Sequence, residues 1–252
     1  MKHYLFLPVL CLLIASCSST PENETSESSS SESPNKEVEA QEVAEAICTE
    51  VNSFIPEGWK IVKNEKGDLN KDGVVDAALV IQKTDASLIK KTAGGDMNSN
   101  PRNLLVLFGT AKKGCFELGV KNETFIISHE DEIMDDPFQG IEIKNGTLKI
   151  NFMEFRSVGS WETSQKTFVW RFQDGEFKLI GANESSFHRS EGDATDVSVN
   201  FSTKKYSVTT YNMFDESVKE EVVWKKFDLK ELKTFKTFKA PWTVTINPDI
   251  HL

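Results

Sequence analysis

Short apolar runs bounded by turn residues dominate the chain beyond residue 59. Residues 77–81 (AALVI) and 104–108 (LLVLF) are continuous apolar stretches too short for helices, the pattern of strands covered on both faces. Residues 141–144 and 147–152 lie on either side of Asn145-Gly146, and residues 167–172 and 176–180 on either side of Asp174-Gly175. A type I′ turn needs positive φ at both central positions, which Asn-Gly and Asp-Gly supply at low steric cost, so two tight hairpins are predicted. Residues 197–201, 206–211 and 218–224 add three more strands. The pattern predicts an all-β fold of about ten antiparallel strands in a meander, closed as a sandwich, a barrel or a propeller-like array. No period of roughly 40–50 residues recurs, which counts against a full propeller.

Before residue 59 the pattern changes. Val43, Ile47, Val51 and Phe54 recur at three- and four-residue steps, with Glu39, Glu42, Glu45 and Glu50 on other faces. That spacing predicts one amphipathic helix over residues 37–55, ended by Pro56 and Gly58 and packed on the body by a narrow stripe. Residues 18–34 (SSTPENETSESSSSESP) contain almost nothing apolar. Such a segment cannot bury enough surface to offset its ordering entropy, so residues 17–36 read as a disordered acidic tether. Residues 37–252 then read as one β-rich domain that begins with the helix.

The chain opens with Lys2 and His3, an apolar run over residues 4–14, and Ile14-Ala15-Ser16-Cys17. The run is too short for a permanent bilayer span. Apolar, small, small, Cys at the end of such a run resembles the lipobox of bacterial lipoprotein signal peptides. The resemblance implies removal of residues 1–16, a lipid on the Cys17 thiol, and a mature chain anchored to a cell-envelope membrane. Ser18 after the cysteine implies the outer membrane, with the face of that membrane left open.

Net charge is −10, but eight Glu and one Lys fall in residues 18–46, so residues 47–252 hold 27 basic against 31 acidic side chains. A nucleic-acid binder would carry a basic excess or stripe, and this chain carries neither. Six Lys between Lys225 and Lys239 form either a solvated face or a contact with anionic lipid. Of four cysteines, Cys11 and Cys17 belong to the leader, leaving Cys48 and Cys115. An oxidising compartment permits their pairing, and spacing alone leaves a disulfide and two separate thiols both open.

The densest chemistry lies between Lys66 and Gln82, K-G-D-L-N-K-D-G-V-V-D-A-A-L-V-I-Q. Asp68, Asn70, Asp72 and Asp76 stand at positions 1, 3, 5 and 9 of a loop, with Gly73 at 6 and the Val74 carbonyl at 7. Calcium takes about six to eight hard oxygen ligands, and a curled loop supplies them from alternate residues. An EF-hand is excluded because its position 12 would be Leu79, not a bidentate Glu, and because the next segment is strand-like. The loop resembles instead the D-x-N-x-D-G-x-x-D calcium loop of FG-GAP and VCBS-type repeats, which belong to extracellular β-proteins. That resemblance covers about residues 66–82, occurs once, and implies structural Ca2+ between two strands. The competing reading is an Asp/Asn-rich turn that takes no ion.

Weaker features follow. His129-Glu130-Asp131-Glu132 with Asp135-Asp136 is a second cation site or, given irregular spacing, an acidic solvated loop. Phe168, Trp170 and Phe172 share one strand face and read as core, whereas Trp161, among Gly159, Ser160 and Glu162, reads as an exposed, ligand-facing ring. No G-x-S-x-G, H-E-x-x-H or phosphate-cradling glycine loop occurs. The functional expectation is a non-catalytic, lipid-anchored envelope protein presenting a calcium-stabilised β-domain to a glycan or an envelope protein. The alternative is a glycan hydrolase with paired carboxylates. Oligomeric state is left open.

Overall fold

Apolar side chains on alternating strand positions bury two clusters here, one on each side of a small sheet. The computed structural model describes residues 48–238, 240–243, 245–248 and 250–251. Cys17, the leader, the tether and residues 37–47 of the expected helix lie outside them.

Strands β1 (Trp59–Gly67), β2 (Asp76–Lys83), β3 (Ile89–Thr92), β4 (Gly95–Asn98), β5 (Arg102–Gly109) and β6 (Phe116–Asn122) make up the first half. Of these, β1, β2, β5 and β6 form an antiparallel sheet in the order β1-β2-β5-β6, while β3 and β4 pair as a separate ribbon. The second half supplies β7 (Phe138–Lys144), β8 (Thr147–Phe155), β9 (Glu162–Gln173), β10 (Glu176–His188), β11 (Asp193–Asn200), β12 (Lys205–Asn212) and β13 (Glu221–Lys226). These seven form a pure meander, each strand beside the next in sequence. A last ribbon pairs β14 (Thr245–Asn247) with β15 (Ile250–His251).

Both expected hairpins are present. Lys144 pairs with Thr147 across Asn145 and Gly146, whose φ values are 53° and 68°. Gln173 pairs with Glu176 across Asp174 and Gly175, at 53° and 77°. The continuous apolar runs are β2 and β5, and each is buried on both faces. Ala78, Val80, Leu104 and Val106 join the core shared with the seven-stranded sheet, while Ala77, Leu79, Ile81, Leu105 and Leu107 face the other way. The two sheets therefore pack face to face. Phe125 sits at the centre of their core, its ring 5.3–5.8 Å from those of Phe152, Phe168, Trp170, Phe235 and Phe238. The aromatic stretch around Phe168 and Trp170 is thus core, as its shared strand face implied.

The expected helix over residues 37–55 needs correction in its described part. Residues 51–54 form a single 3-10 turn, and no α-helix occurs among the described residues. The backbone there serves the sheet instead. Cys48 is bonded to Cys115, with their Cα atoms 5.0 Å apart, and the Thr49 carbonyl accepts the Phe116 N–H at 2.9 Å. A carbonyl committed to β6 is lost to the i→i+4 ladder, and Pro56 prevents the helix from resuming. The apolar stripe survives in part, since its Val51 and Phe54, together with Ile55, cover the outer cluster of the four-stranded sheet.

The lysine-rich segment past β13 has an apolar underside. Phe235 and Phe238 are buried in the shared core and Phe227, Leu229 and Leu232 pack against it, so the exposed Lys230 and Lys236 lie on its solvated side. The Leu179 N–H donates to the Lys233 carbonyl at 2.8 Å and ties this segment to the start of β10.

Candidate functional site

The Asp68–Asp76 loop joins β1 to β2 at the edge of the core, and three close contacts fix it there. Gly67, the last residue of β1, lies against β7: a Cβ on it would stand 2.5 Å from Ile143 Cγ2. Leu69 is fully buried and anchors the loop in the core. Gly109, the last residue of β5, lies under the loop, where a Cβ would meet the Val75 carbonyl oxygen at 2.4 Å. Gly73 has φ +85° and Lys71 φ +65°, the left-handed backbone that curls the loop.

Asp76 organises this arrangement. It is 0 % exposed, and its two oxygens serve opposite sides. Oδ2 accepts the N–H of Leu69 at 2.7 Å and of Asn70 at 3.3 Å, whereas Oδ1 accepts the Gly109 N–H at 2.9 Å. One carboxylate thus staples the start of its own loop to the neighbouring strand. Burial pushes the Asp76 carboxyl above the usual carboxylate range, against the opposing pull of the Gly109, Leu69 and Asn70 N–H groups, and the nearby Asp72 charge adds to the rise.

The remaining loop oxygens are more exposed. Asp68 accepts the Lys71 N–H through Oδ1 at 2.6 Å and the Gly73 N–H through Oδ2 at 3.0 Å, so the loop curls around its carboxylate. Asn70 Oδ1 accepts the Asp72 N–H at 3.0 Å, Asp72 Oδ1 accepts the Val74 N–H at 2.7 Å, and Asn70 Nδ2 donates to Asp72 Oδ2 at 2.8 Å. The donor set is three carboxylates, an amide oxygen and the Val74 carbonyl, all hard oxygens of the kind Ca2+ takes. Among the described residues, no three His, Cys, Asp or Glu side chains are gathered as a metal-holding group. The residues fit calcium by chemistry and by the curl of the loop, with their side chains turned onto backbone N–H groups.

Other expected sites are placed as follows. Cys48 and Cys115 are joined. Trp161 is 62 % exposed, with the Arg189 guanidinium 5.8 Å from its ring and 4.4 Å from that of Phe155. In the acidic cluster, His129 Nε2 lies 2.7 Å from the Met134 carbonyl, while Asp131 pairs with Arg156, Asp136 with Arg102, and Glu132 with Lys90. Three of its five carboxylates are thus spent on cations from other parts of the chain. The Ile133 N–H and the Arg156 guanidinium hold the Asp131 carboxyl below its usual range.

Sequence reasoning missed Leu69 and Gly109 as parts of the loop. Their signals were an apolar residue at the second loop position and a glycine ending an apolar strand. Set beside known protein families, curated proteins and solved structures, the chain matches none.

Proposed function

We propose that this is a lipid-anchored cell-envelope protein, held by Cys17, whose β-domain is stabilised by calcium at Asp68, Asn70, Asp72, the Val74 carbonyl and Asp76. Its role is binding or structural rather than catalytic, and its partner is a glycan or another envelope protein. The observation that carries the calcium reading is the loop itself. Oxygen donors alternate along it, its first carboxylate lies at the centre of the curl, and its last is buried as the staple to β5. Calcium bound there would neutralise the repulsion between Asp72 and Asp76 and couple ion binding to the folded state. The exposed Trp161 ring, backed by Arg189, supplies a stacking surface of the kind sugars use. A groove of about 490 Å³ over the inner face of β10–β13 has one carboxylate in its lining, Glu184, and Lys166 pairs with it at 3.1 Å. That single, engaged acid favours binding there over hydrolysis by a carboxylate pair.

The test is thermal melting of the purified protein in chelator and in millimolar calcium. A ligand of the folded state alone adds about 2.7 kcal/mol at a hundredfold excess over its Kd, so the midpoint should rise. Asp72→Ala should remove most of that rise. Superimposable curves with and without calcium would leave the loop as a hydrogen-bonded turn.

A further inference from the structure

The seven-stranded sheet ends in β13, where every residue is exposed, and among the described residues no strand pairs with its outer edge. An unpaired edge is a template for another strand, and proteins normally blunt it with charge, proline or a bulge. Here the middle of the edge is apolar: Val222, Val223 and Trp224 are 47 %, 37 % and 69 % exposed. Glu220 and Glu221 precede this centre and Lys225 and Lys226 follow it.

The phase of the edge follows from its inner neighbour. The Phe227 N–H donates to the Lys204 carbonyl at 3.2 Å, continuing the register in which Lys226 faces Lys205. Hydrogen-bonded and non-hydrogen-bonded pairs alternate in an antiparallel ladder. Glu221, Val223 and Lys225 therefore turn their backbone groups towards β12, and Val222, Trp224 and Lys226 turn theirs outward.

Two copies joined by this edge across a two-fold axis must place one residue opposite itself. With Val222 on the axis, Lys219 meets Lys225 of the second copy. With Trp224 on the axis, Glu220 meets Asp228. Only the axis between them matches charge as well as backbone phase. With Val223 opposite itself, outward-facing Val222 meets outward-facing Trp224, Glu221 meets Lys225, and Glu220 meets Lys226. Each contact occurs twice by symmetry, giving four Glu–Lys pairs around an apolar centre.

We propose that β13 is a self-association edge: two copies of this chain join antiparallel through it, with Val223 on the two-fold axis, and extend the seven-stranded sheet across the interface. The sequence KEEVVWKKFD over residues 219–228 is self-complementary in this one register. A single strand edge buries little surface, so the association is weak and depends on concentration.

Cysteine cross-linking of the full chain under mild oxidation tests the register, with the parent chain as baseline. Val223→Cys should give a disulfide-linked dimer, because directly opposed non-hydrogen-bonded positions bring Cα atoms to about 4.5 Å. Val222→Cys alone and Trp224→Cys alone should stay at baseline, since each faces the other residue and lies more than about 7 Å from its own copy. Mixing those two variants should restore the cross-link. Adding Trp224→Pro to Val223→Cys removes one outward N–H and leaves the β12 ladder intact, so the cross-link should fall to baseline while the melting midpoint holds. Baseline cross-linking of Val223→Cys would overturn the proposal, including the case in which residues 1–47 cover this edge. Equal cross-linking by Val222→Cys alone would overturn the register.

Discussion

Replacing Asp76 should unsettle the domain before any ion is considered. Asp76→Ala deletes the acceptor for two short backbone bonds, from Leu69 at 2.7 Å and Gly109 at 2.9 Å, and for a longer one from Asn70. Hydrogen bonds to a charged group contribute about 1.5–3 kcal/mol each, and stranded donors keep their desolvation cost. Burial of the carboxylate offsets part of this, as its upward-shifted pKa shows. Asp76→Ala should therefore lose about 3 kcal/mol in chelator. Asp76→Asn should recover little, because Oδ1 and Oδ2 both face donors and the amide NH2 must point at one of them. Asp72→Ala is the control: its bonds are exposed, so in chelator it should cost within about 1 kcal/mol. Urea denaturation of the three variants in chelator gives the ranking. An Asp76→Ala loss no larger than that of Asp72→Ala would refute the staple, whatever calcium does.

Three further outcomes follow from separate parts of the chain. Cys48 and Cys115 are 67 residues apart, and in the chain-entropy account such a cross-link contributes about 4 kcal/mol. The double Cys→Ser variant should lose most of that in urea denaturation; a loss under about 1 kcal/mol would show that the unfolded chain is not what the bond constrains. Gly109→Ala puts a methyl 2.4 Å from the Val75 carbonyl oxygen, and overpacking of this kind costs about 1–3 kcal/mol. Its midpoint should therefore fall, and an unchanged one would mean that the loop yields freely. Cys17→Ala should release the protein from the membrane fraction and abolish labelling with a fatty-acid analogue, and retention of both would end the lipid-anchor reading.

Local rules carried furthest where they were answered locally. The hairpins at Asn145-Gly146 and Asp174-Gly175 depend on the φ preferences of two residues, and both are present. The burial of residues 77–81 and 104–108 on two faces depends on unbroken apolar runs, and both strands show it. The helix over residues 37–55 failed in its described part for a non-local reason. Its periodicity is real, but Cys48 and Thr49 are claimed by Cys115 and Phe116, more than 60 positions away in sequence. Asp76 shows the same limit at the candidate site. Its place in the loop was legible from spacing, whereas its role as staple depends on Gly109, which only sheet pairing brings near.

A loop whose residues served only as a turn would need Asp68, Asn70 and Asp72, whose oxygens already cap its own N–H groups. It would not need a third acidic residue buried where ionisation is disfavoured. A neutral acceptor reached by both strands would hold Leu69 and Gly109 with less desolvation cost. A buried acid beside Asp72 makes physical sense where a cation shares the charge, and calcium drawn into the loop would offset the cost that burial imposes on Asp76. The chelator experiment separates the two contributions. The staple acts in both conditions, the ion in one, and only the difference between them belongs to calcium.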